Sequence, residues 1–212
     1  IWIGNENVVR QKNVGQNIYD MLDYIVQNYD ALPDKILFAR GCLLFPKGRT
    51  KPLSNGNCSE AAFRTRIMDG SNIVQVHDFD ANNVNGVFNF IDDGIYNEKV
   101  SSWWFPLHPG KYYFSHTQFH KDLYSQKHNI KYTRFSHGAS YIIKRDVILQ
   151  HPKVFYMNLR YLVSWDCVVG EAHLLERNLF EIFSAKRDIS KLYLGEHETF
   201  KQIMERRVVS TR

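Results

Sequence analysis

Apolar residues recur at helical spacing near the beginning of the chain. Over residues 16–28 they fall on one face, which includes Ile18 and Leu22, and Leu32-Pro33-Asp34 follows as a stop. This pattern predicts an amphipathic helix. Residues 35–39 then form a short apolar run, which predicts a buried strand.

A second helix and a second strand follow in the same order. Residues 61–67 predict a helix that is capped by Asn57 or Ser59 and ends near Asp69-Gly70, and residues 72–76 predict a strand. Two helix–strand units in succession indicate an α/β fold with parallel strands covered by helices. We therefore expect a Rossmann-like domain with a mixed, mostly parallel central sheet flanked by helices.

The second half of the chain has a less regular beginning. Residues 100–132 are rich in aromatic side chains and show no periodicity. The charged tail 185–212 is expected to be a peripheral helix or partly disordered. Between these regions the pattern predicts a strand over 139–143, a short helix before Pro152, and helices over 155–162 and 171–183.

The composition is that of a folded domain. The chain has 212 residues, of which 44% are hydrophobic, so it can bury the core of one domain spanning 1–212. The formal charge of +5 would suit a polyanionic partner such as a diphosphate. The basic residues are scattered, however, so we do not expect a nucleic-acid partner.

Sequence features also argue against several kinds of site and location. No run approaches the roughly 20 apolar residues of a membrane span. The cysteines, Cys42, Cys58 and Cys167, have no CxxC spacing, and any disulfide would leave one over, so we expect a reducing compartment, the cytoplasm. The chain begins at Ile1, which is compatible with processing or excision from a longer protein.

Two aspartates follow directly on the second predicted strand. Asp78 and Asp80 flank Phe79, and side chains at a strand's carboxyl end can point into the crevice where open α/β sheets bind ligands. Two carboxylates suit a hard cation such as Mg²⁺ or Mn²⁺. An Asp-x-Asp tripeptide is expected about once by chance in such a chain, so the position after a strand is what favours a metal site.

A glycine and a glutamate open the predicted helix over 171–183. A carboxylate at a helix N-terminus is stabilised in its ionised form and could accept a proton, which makes Glu171 a candidate general base, with Asp166 in reserve. The alternative is that Glu171 only complements the helix dipole and that Asp166 is a capping residue. His173 could contact a ligand or acceptor near Glu171, or it could be an ordinary exposed residue of the helix.

Other candidates have strong structural alternatives. Trp103 and Trp104 could stack on sugar rings, although aromatic side chains are more often part of a core. Arg40, which leaves the first predicted strand, could contact a phosphate. His116 and His120 are spaced like zinc ligands on a helix, but no third ligand accompanies them, so we interpret them as surface or core residues.

Three segments of the chain together resemble the GT-A class of glycosyltransferases, and in particular the small glycosyltransferase domain encoded by large viruses of chlorella algae. Residues 13–17 (Asn-Val-Gly-Gln-Asn) are similar to the opening that lies by the nucleotide in such enzymes, which implies that Asn13, Gly15 and Asn17 bind the donor. His77-Asp78-Phe79-Asp80 resembles the metal motif. Gly170-Glu171 resembles the Gly-Glu-Asp motif that carries the base of inverting members, but Ala172 replaces its aspartate.

The resemblance implies a viral protein in the host cytoplasm that uses Mn²⁺ or Mg²⁺ and a nucleotide-sugar donor, with UDP as the expected nucleotide. The acceptor would be a hydroxyl of a glycan or glycoprotein, and the transfer would be inverting. The alternatives are a metal-dependent nucleotidyltransferase or nucleotide-sugar hydrolase, and a carbohydrate-binding module without enzymatic activity.

Overall fold

The computed structural model is a mixed arrangement of helices and short strands. It describes residues 13–39, 60–76, 88–92, 95–98, 107–125, 132–185 and 187–210. The strands are β1 (Lys35–Phe38), β2 (Ile73–Gln75), β3 (Phe88–Asp92), β4 (Ile95–Glu98), β5 (Tyr132–Arg134) and β6 (Tyr141–Lys144). The α-helices are α1 (Gln16–Asn28), α2 (Glu60–Met68), α3 (His116–Leu123), α4 (Arg145–Ile148), α5 (Lys153–Leu162), α6 (Gly170–Ser184), α7 (Lys191–Leu194) and α8 (His197–Ser210).

The first sheet has the strand order β1-β6-β2, and β6 is antiparallel to both of its neighbours. Tyr141 lies opposite Phe38 on one side and opposite Gln75 on the other. Because β1 and β2 are each antiparallel to β6, they run in the same direction and end at the same edge of the sheet. Ile36 is the one buried residue of β1, which is an outer strand of this sheet among the described strands.

The prediction of a mostly parallel, Rossmann-like sheet is wrong for the described strands. A second sheet, with the order β4-β3-β5, is also antiparallel, so every described strand pair is antiparallel. The class is α/β only in the loose sense of mixed helix and strand. The local pattern of β1 and β2 is compatible with parallel neighbours, and it contains no sign that a strand from much later in the chain lies between them.

Most predicted helices are present within a few residues of their expected limits. Helix α1 packs against α5 and α6, and Leu22, Ile25, Leu159 and Leu175 are among the residues with no exposed surface in this core. The aromatic region also contains a helix that the periodicity did not reveal. Ser115 caps α3 by accepting a hydrogen bond from the backbone N–H of Gln118 at 3.2 Å.

The C-terminal tail contains two helices, residues 191–194 and 197–210, which agrees with the expectation of a helix there, and several of its side chains are buried in the core. Phe200 and Met204, four residues apart on α8, are buried, as is Tyr193 of α7. Tyr193 donates a hydrogen bond to the hydroxyl of Tyr113 at 2.9 Å. Among the described helices, none combines the length and apolar character needed to cross a membrane.

Gly15 allows the backbone at the beginning of α1 to lie close to the segment that follows α5. Its φ is 59°, and a Cβ at this position would lie 2.3 Å from the carbonyl oxygen of Val163. We expect Gly15→Ala to lower the free energy of unfolding by about 2 kcal/mol or more, because both the backbone strain and the clash oppose the native conformation. Urea unfolding followed by circular dichroism measures this change.

Gly70→Ala is the matched control. A Cβ on Gly70 would meet nothing within 4 Å, so that variant should stay within about 0.5 kcal/mol of the wild type. Equal stability of the two variants would show that the close approach at Gly15 does not constrain the fold.

Candidate functional site

A groove lies between α1 and the outer strand β1. Its volume is about 490 Å³, which is in the range of small-molecule sites. The groove follows β1 to its carboxyl end at Phe38 and Ala39. Its lining residues are Asn17, Asp20, Met21, Tyr24, Pro33, Lys35, Ile36, Leu37, Phe38, Ala39 and Ala139.

Aromatic and polar side chains share this groove. The rings of Tyr24 and Phe38 meet edge to face with 5.9 Å between their centroids, and Tyr24 is 37% exposed. Asp20 contributes a carboxyl group whose pKa is raised by burial and by the nearby Asp23. An aromatic face beside hydrogen-bonding groups can receive a flat, polar ring such as a nucleobase.

The turn at residues 138–140 connects the groove to the ends of β1 and β2. Gly138 and Ala139 have φ values of 69° and 50°, and Ala139 lines the groove. The backbone N–H of Val76, directly after β2, donates to the carbonyl of Ser140 at 3.1 Å. The carboxyl ends of both outer strands therefore lie on either side of this turn.

Asn17, a predicted donor-binding residue, holds this turn from α1. Its side-chain amide donates a hydrogen bond to the carbonyl of Gly138, and the N–H of Gly138 donates to Glu176 Oε1 at 2.6 Å. Glu176 also pairs with Arg177 at 3.3 Å. Glu176 was not predicted as a site residue, because a glutamate within a helix gives no local sign of a partner 38 residues away.

The structure brings two of the predicted motifs into direct contact. The backbone N–H of Gly15 donates to the carbonyl of Asp166 at 2.8 Å, so the segment 13–17 lies against the segment that precedes α6. Asn13 and Asp166 are both exposed. The carboxylate of Asp166 accepts a hydrogen bond from the backbone N–H of Cys167 at 2.6 Å, and it stays accessible to solvent.

Glu171 is placed differently from an accessible base. It has no exposed surface, and its Oε1 accepts hydrogen bonds from the backbone N–H groups of Lys111 at 2.7 Å, Tyr112 at 2.6 Å and Tyr113 at 3.2 Å. Burial raises the pKa of Glu171, while these N–H groups act in the opposite direction. In this arrangement the carboxylate anchors the segment 111–113 to the first turn of α6.

His173, the predicted ligand or acceptor contact, lies next to a histidine that the sequence analysis did not single out. Its Nε2 is within hydrogen-bonding distance of Nδ1 of His108, and the ring centroids are 4.5 Å apart. Burial lowers the pKa of both imidazoles, to about 3 for His173. A small cavity of about 130 Å³ adjoins His108, Gly110 and Phe114.

Several predicted site residues lie outside the described residues, and their predictions stay untested. Arg40 follows directly on Ala39, and Asp78 comes two positions after Val76, but neither residue is described. No group of three or more His, Cys, Asp or Glu residues suited to a metal occurs among the residues that the structure describes. The other undescribed candidates are Phe79, Asp80, Trp103 and Trp104.

No family model, curated protein or solved structure matches this chain.

His116 of α3 is buried and His120 is partly buried, which agrees with their interpretation as surface or core residues. Nε2 of His116 is 2.8 Å from the amide nitrogen of Asn178, and Nε2 of His120 is 2.9 Å from a guanidinium nitrogen of Arg187. Burial, together with the charge of Arg187, lowers the pKa of His120 to about 3, and the pKa of His116 is lowered well below its usual range. Both rings are therefore neutral in the folded protein near pH 7.

These imidazoles should make the protein less stable in mild acid. Below the usual histidine pKa of about 6.5, the unfolded chain binds protons that the folded protein does not bind until the pH approaches the lowered values. The free energy of unfolding is expected to fall between pH 6.5 and 5, by up to about 1.4 kcal/mol per pH unit for each such imidazole. Urea unfolding at pH 7.5, 6.5 and 5.5 measures the slope.

His120→Gln should reduce this slope, since it removes one of the titrating groups. His197→Gln is the control, because His197 on α8 is only partly buried and should contribute less. An unchanged slope in His120→Gln would contradict the assignment of this pH dependence to the histidines of α3.

Proposed function

We propose that this protein is a metal-dependent glycosyltransferase. It binds a nucleotide-diphosphate sugar, with UDP as the expected nucleotide, in the groove between α1 and β1, and transfers the sugar to a hydroxyl of a glycan or glycoprotein. The observation that carries this proposal is that β1 and β2 end at one edge of the sheet, beside the turn that Asn17 binds.

Sequence adjacency connects the remaining motif residues to this edge. Arg40 is the next residue after Ala39, and Asp78 follows Val76 by two positions. Consecutive Cα atoms are about 3.8 Å apart, so Arg40 directly follows a residue that lines the groove, and the aspartate motif begins at the carboxyl end of β2. This supports a donor site to which Arg40 contributes a positive charge for the diphosphate.

Asp78 and Asp80 are the residues that would hold the divalent cation. Their carboxylates are the oxygen ligands that Mn²⁺ and Mg²⁺ prefer. When bound, the cation supplies positive charge to the departing diphosphate. The groove then receives the nucleoside, with Tyr24, Asn17 and Asp20 of α1 and Phe38 of β1 in its lining.

We assign the general base to Asp166. Its carboxylate is exposed beside Gly15, whereas the carboxylate of Glu171 is enclosed and occupied by three backbone N–H groups. Asp166 accepts the proton of the acceptor hydroxyl, whose oxygen then bonds to the anomeric carbon as the bond to the diphosphate breaks. Attack from the face opposite the leaving group makes the transfer inverting.

Donor binding should need both the metal and the groove. In calorimetric titrations of UDP-sugars, we expect binding to the wild type with Mn²⁺, and no measurable binding without Mn²⁺ or with Asp80→Ala. Tyr24→Ala should weaken binding about tenfold or more, because it removes the exposed aromatic face of the groove. Phe114→Ala is the control, since Phe114 is 47% exposed but lies outside the groove lining.

The alternatives give different results in the same experiments. Binding of glycans that persists without metal and in Asp80→Ala would favour a carbohydrate-binding module. Release of free sugar or pyrophosphate, with no transfer to an acceptor, would favour a nucleotide-sugar hydrolase or a nucleotidyltransferase. Weakening by Phe114→Ala equal to that by Tyr24→Ala would contradict the placement of the donor in the groove.

Replacement of Asp166 should affect catalysis, whereas replacement of Glu171 should affect stability. Asp166→Asn should lower kcat by about 10²-fold or more and leave stability nearly unchanged, because the backbone carbonyl still accepts the hydrogen bond from Gly15. Glu171→Gln should instead lower the free energy of unfolding by about 1–3 kcal/mol, because an ionic acceptor of three N–H groups becomes neutral.

Sugar transfer is measured on both variants at a temperature at which each is folded. Asp146→Asn is the control for Asp166→Asn, because Asp146 is an exposed aspartate on α4. A large loss of kcat in Glu171→Gln with full activity in Asp166→Asn would return the base to Glu171. Full activity in both variants would indicate retaining chemistry.

A further inference from the structure

His108 and His173 bring two imidazole rings together from different parts of the chain. His108 lies in the segment 107–110, and His173 lies on α6, 65 residues later. Nδ1 of His108 faces Nε2 of His173, and the planes of the two rings are tilted by 32° relative to each other. Neither residue is among those that line the groove between α1 and β1.

The backbone holds the two rings in this arrangement. The N–H of Gly170 donates to the carbonyl of Pro109 at 2.8 Å, and a Cβ on Gly170 would lie 2.8 Å from the carbonyl oxygen of His108. One residue further along α6, Glu171 binds the backbone of Lys111 at 2.7 Å. The segments that carry both histidines are thus fixed at close range, so little conformational freedom remains to be lost when the rings share a ligand.

We propose that His108 and His173 form a binding site for a borderline-soft divalent metal ion such as Zn²⁺, Co²⁺ or Ni²⁺. Neutral imidazole nitrogens are preferred ligands of these ions, and water can occupy the remaining coordination positions. The cavity of about 130 Å³ that His108 helps to line has room for such water. Mn²⁺ and Mg²⁺ prefer oxygen ligands, so this site would select different metals from the aspartate pair.

The protonation states of the rings are compatible with metal binding. In a neutral pair, one ring donates its N–H to the other ring. Of the two facing nitrogens, only the accepting one then has a lone pair. When a metal binds, the donating ring carries its proton on its other nitrogen instead, and both facing nitrogens provide lone pairs. This change of tautomer releases no net proton, so metal binding is not opposed by proton release near pH 7.

Among the residues that the structure describes, the main opposing charge near the pair is Arg177, one turn further along α6. Its guanidinium donates to the backbone carbonyl of His173 at 3.1 Å and pairs with the carboxylate of Glu176 at 3.3 Å. That ion pair offsets part of its repulsion toward a cation. A bound ion would tie the segment 107–110 to α6, and it would stabilise the fold because the unfolded chain does not hold the two rings together.

Titration with Co²⁺ or Zn²⁺ tests this proposal. We expect one equivalent to bind the wild type, with changes in the imidazole signals of His108 and His173 in ¹H–¹⁵N spectra recorded through the ring protons. Each of His108→Gln and His173→Gln should weaken binding at least about tenfold, since each removes one of two protein ligands. Asp80→Ala should bind Zn²⁺ like the wild type, which separates this site from the proposed donor site.

A control variant and melting temperatures distinguish loss of the metal site from a general loss of stability. His197→Gln removes a partly buried histidine elsewhere and should leave binding unchanged. Zn²⁺ should also raise the melting temperature of the wild type and of His197→Gln, but not of His108→Gln or His173→Gln. The proposal is overturned if the wild type does not bind, if binding is unchanged in both His108→Gln and His173→Gln, or if the ring signals of His108 and His173 do not respond.

Discussion

The insertion of β6 between β1 and β2 determines how the rest of the site is arranged. Tyr141 and Ile143 of this strand have no exposed surface, and each faces a partner on both sides. The two outer strands are consequently separated but run in the same direction. Their carboxyl ends therefore meet the same turn, which begins at Gly138, and any ligand site at those ends must include residues of this turn as well as residues of the strands.

The first turn of α6 provides a second set of constraints. Gly170 allows the segment 107–110 to approach closely, and Glu171 then satisfies three backbone N–H groups of the adjoining residues. A buried carboxylate is costly unless it is hydrogen-bonded, so this cluster of donors explains why Glu171 is tolerated in the core. The same placement withdraws Glu171 from solvent, and Asp166, before the helix, remains the exposed carboxylate of this segment.

The sequence predicted those features that depend on local periodicity. The limits of α1 and α6 were within one or two residues of those observed, because each helix has an apolar face against a common core. The partners of β6 could not be predicted, since strand pairing is decided by contacts between distant segments. Helix α3 did have a local signal, in which Ser115 precedes Gln118 by three residues as in a capping box, but aromatic residues obscured the periodicity around it.

Site residues were harder to predict than helices because the same residue types fit several roles. A glutamate after a helix-opening glycine can complement the helix dipole, act as a base or anchor a loop, and the sequence at Glu171 is compatible with all three. Only the positions of the backbone N–H groups of residues 111–113 distinguish them. The motif around Gly15 was predicted as a ligand-binding segment, and its contact with Asp166 could not be inferred from either segment alone.

The contacts that build the candidate site join segments that are far apart in the chain. Asn17 and Gly138 are separated by 121 residues in the sequence. Gly15 and Asp166 are also far apart in the sequence, and they are joined by a hydrogen bond between backbone atoms. Because such contacts exist only when the whole core is assembled, the site cannot form before the fold does. Substitutions at Gly15 or Asn17 therefore affect stability and the shape of the groove together, whereas Tyr24, which reaches the groove by its side chain, can be changed with less effect on the core.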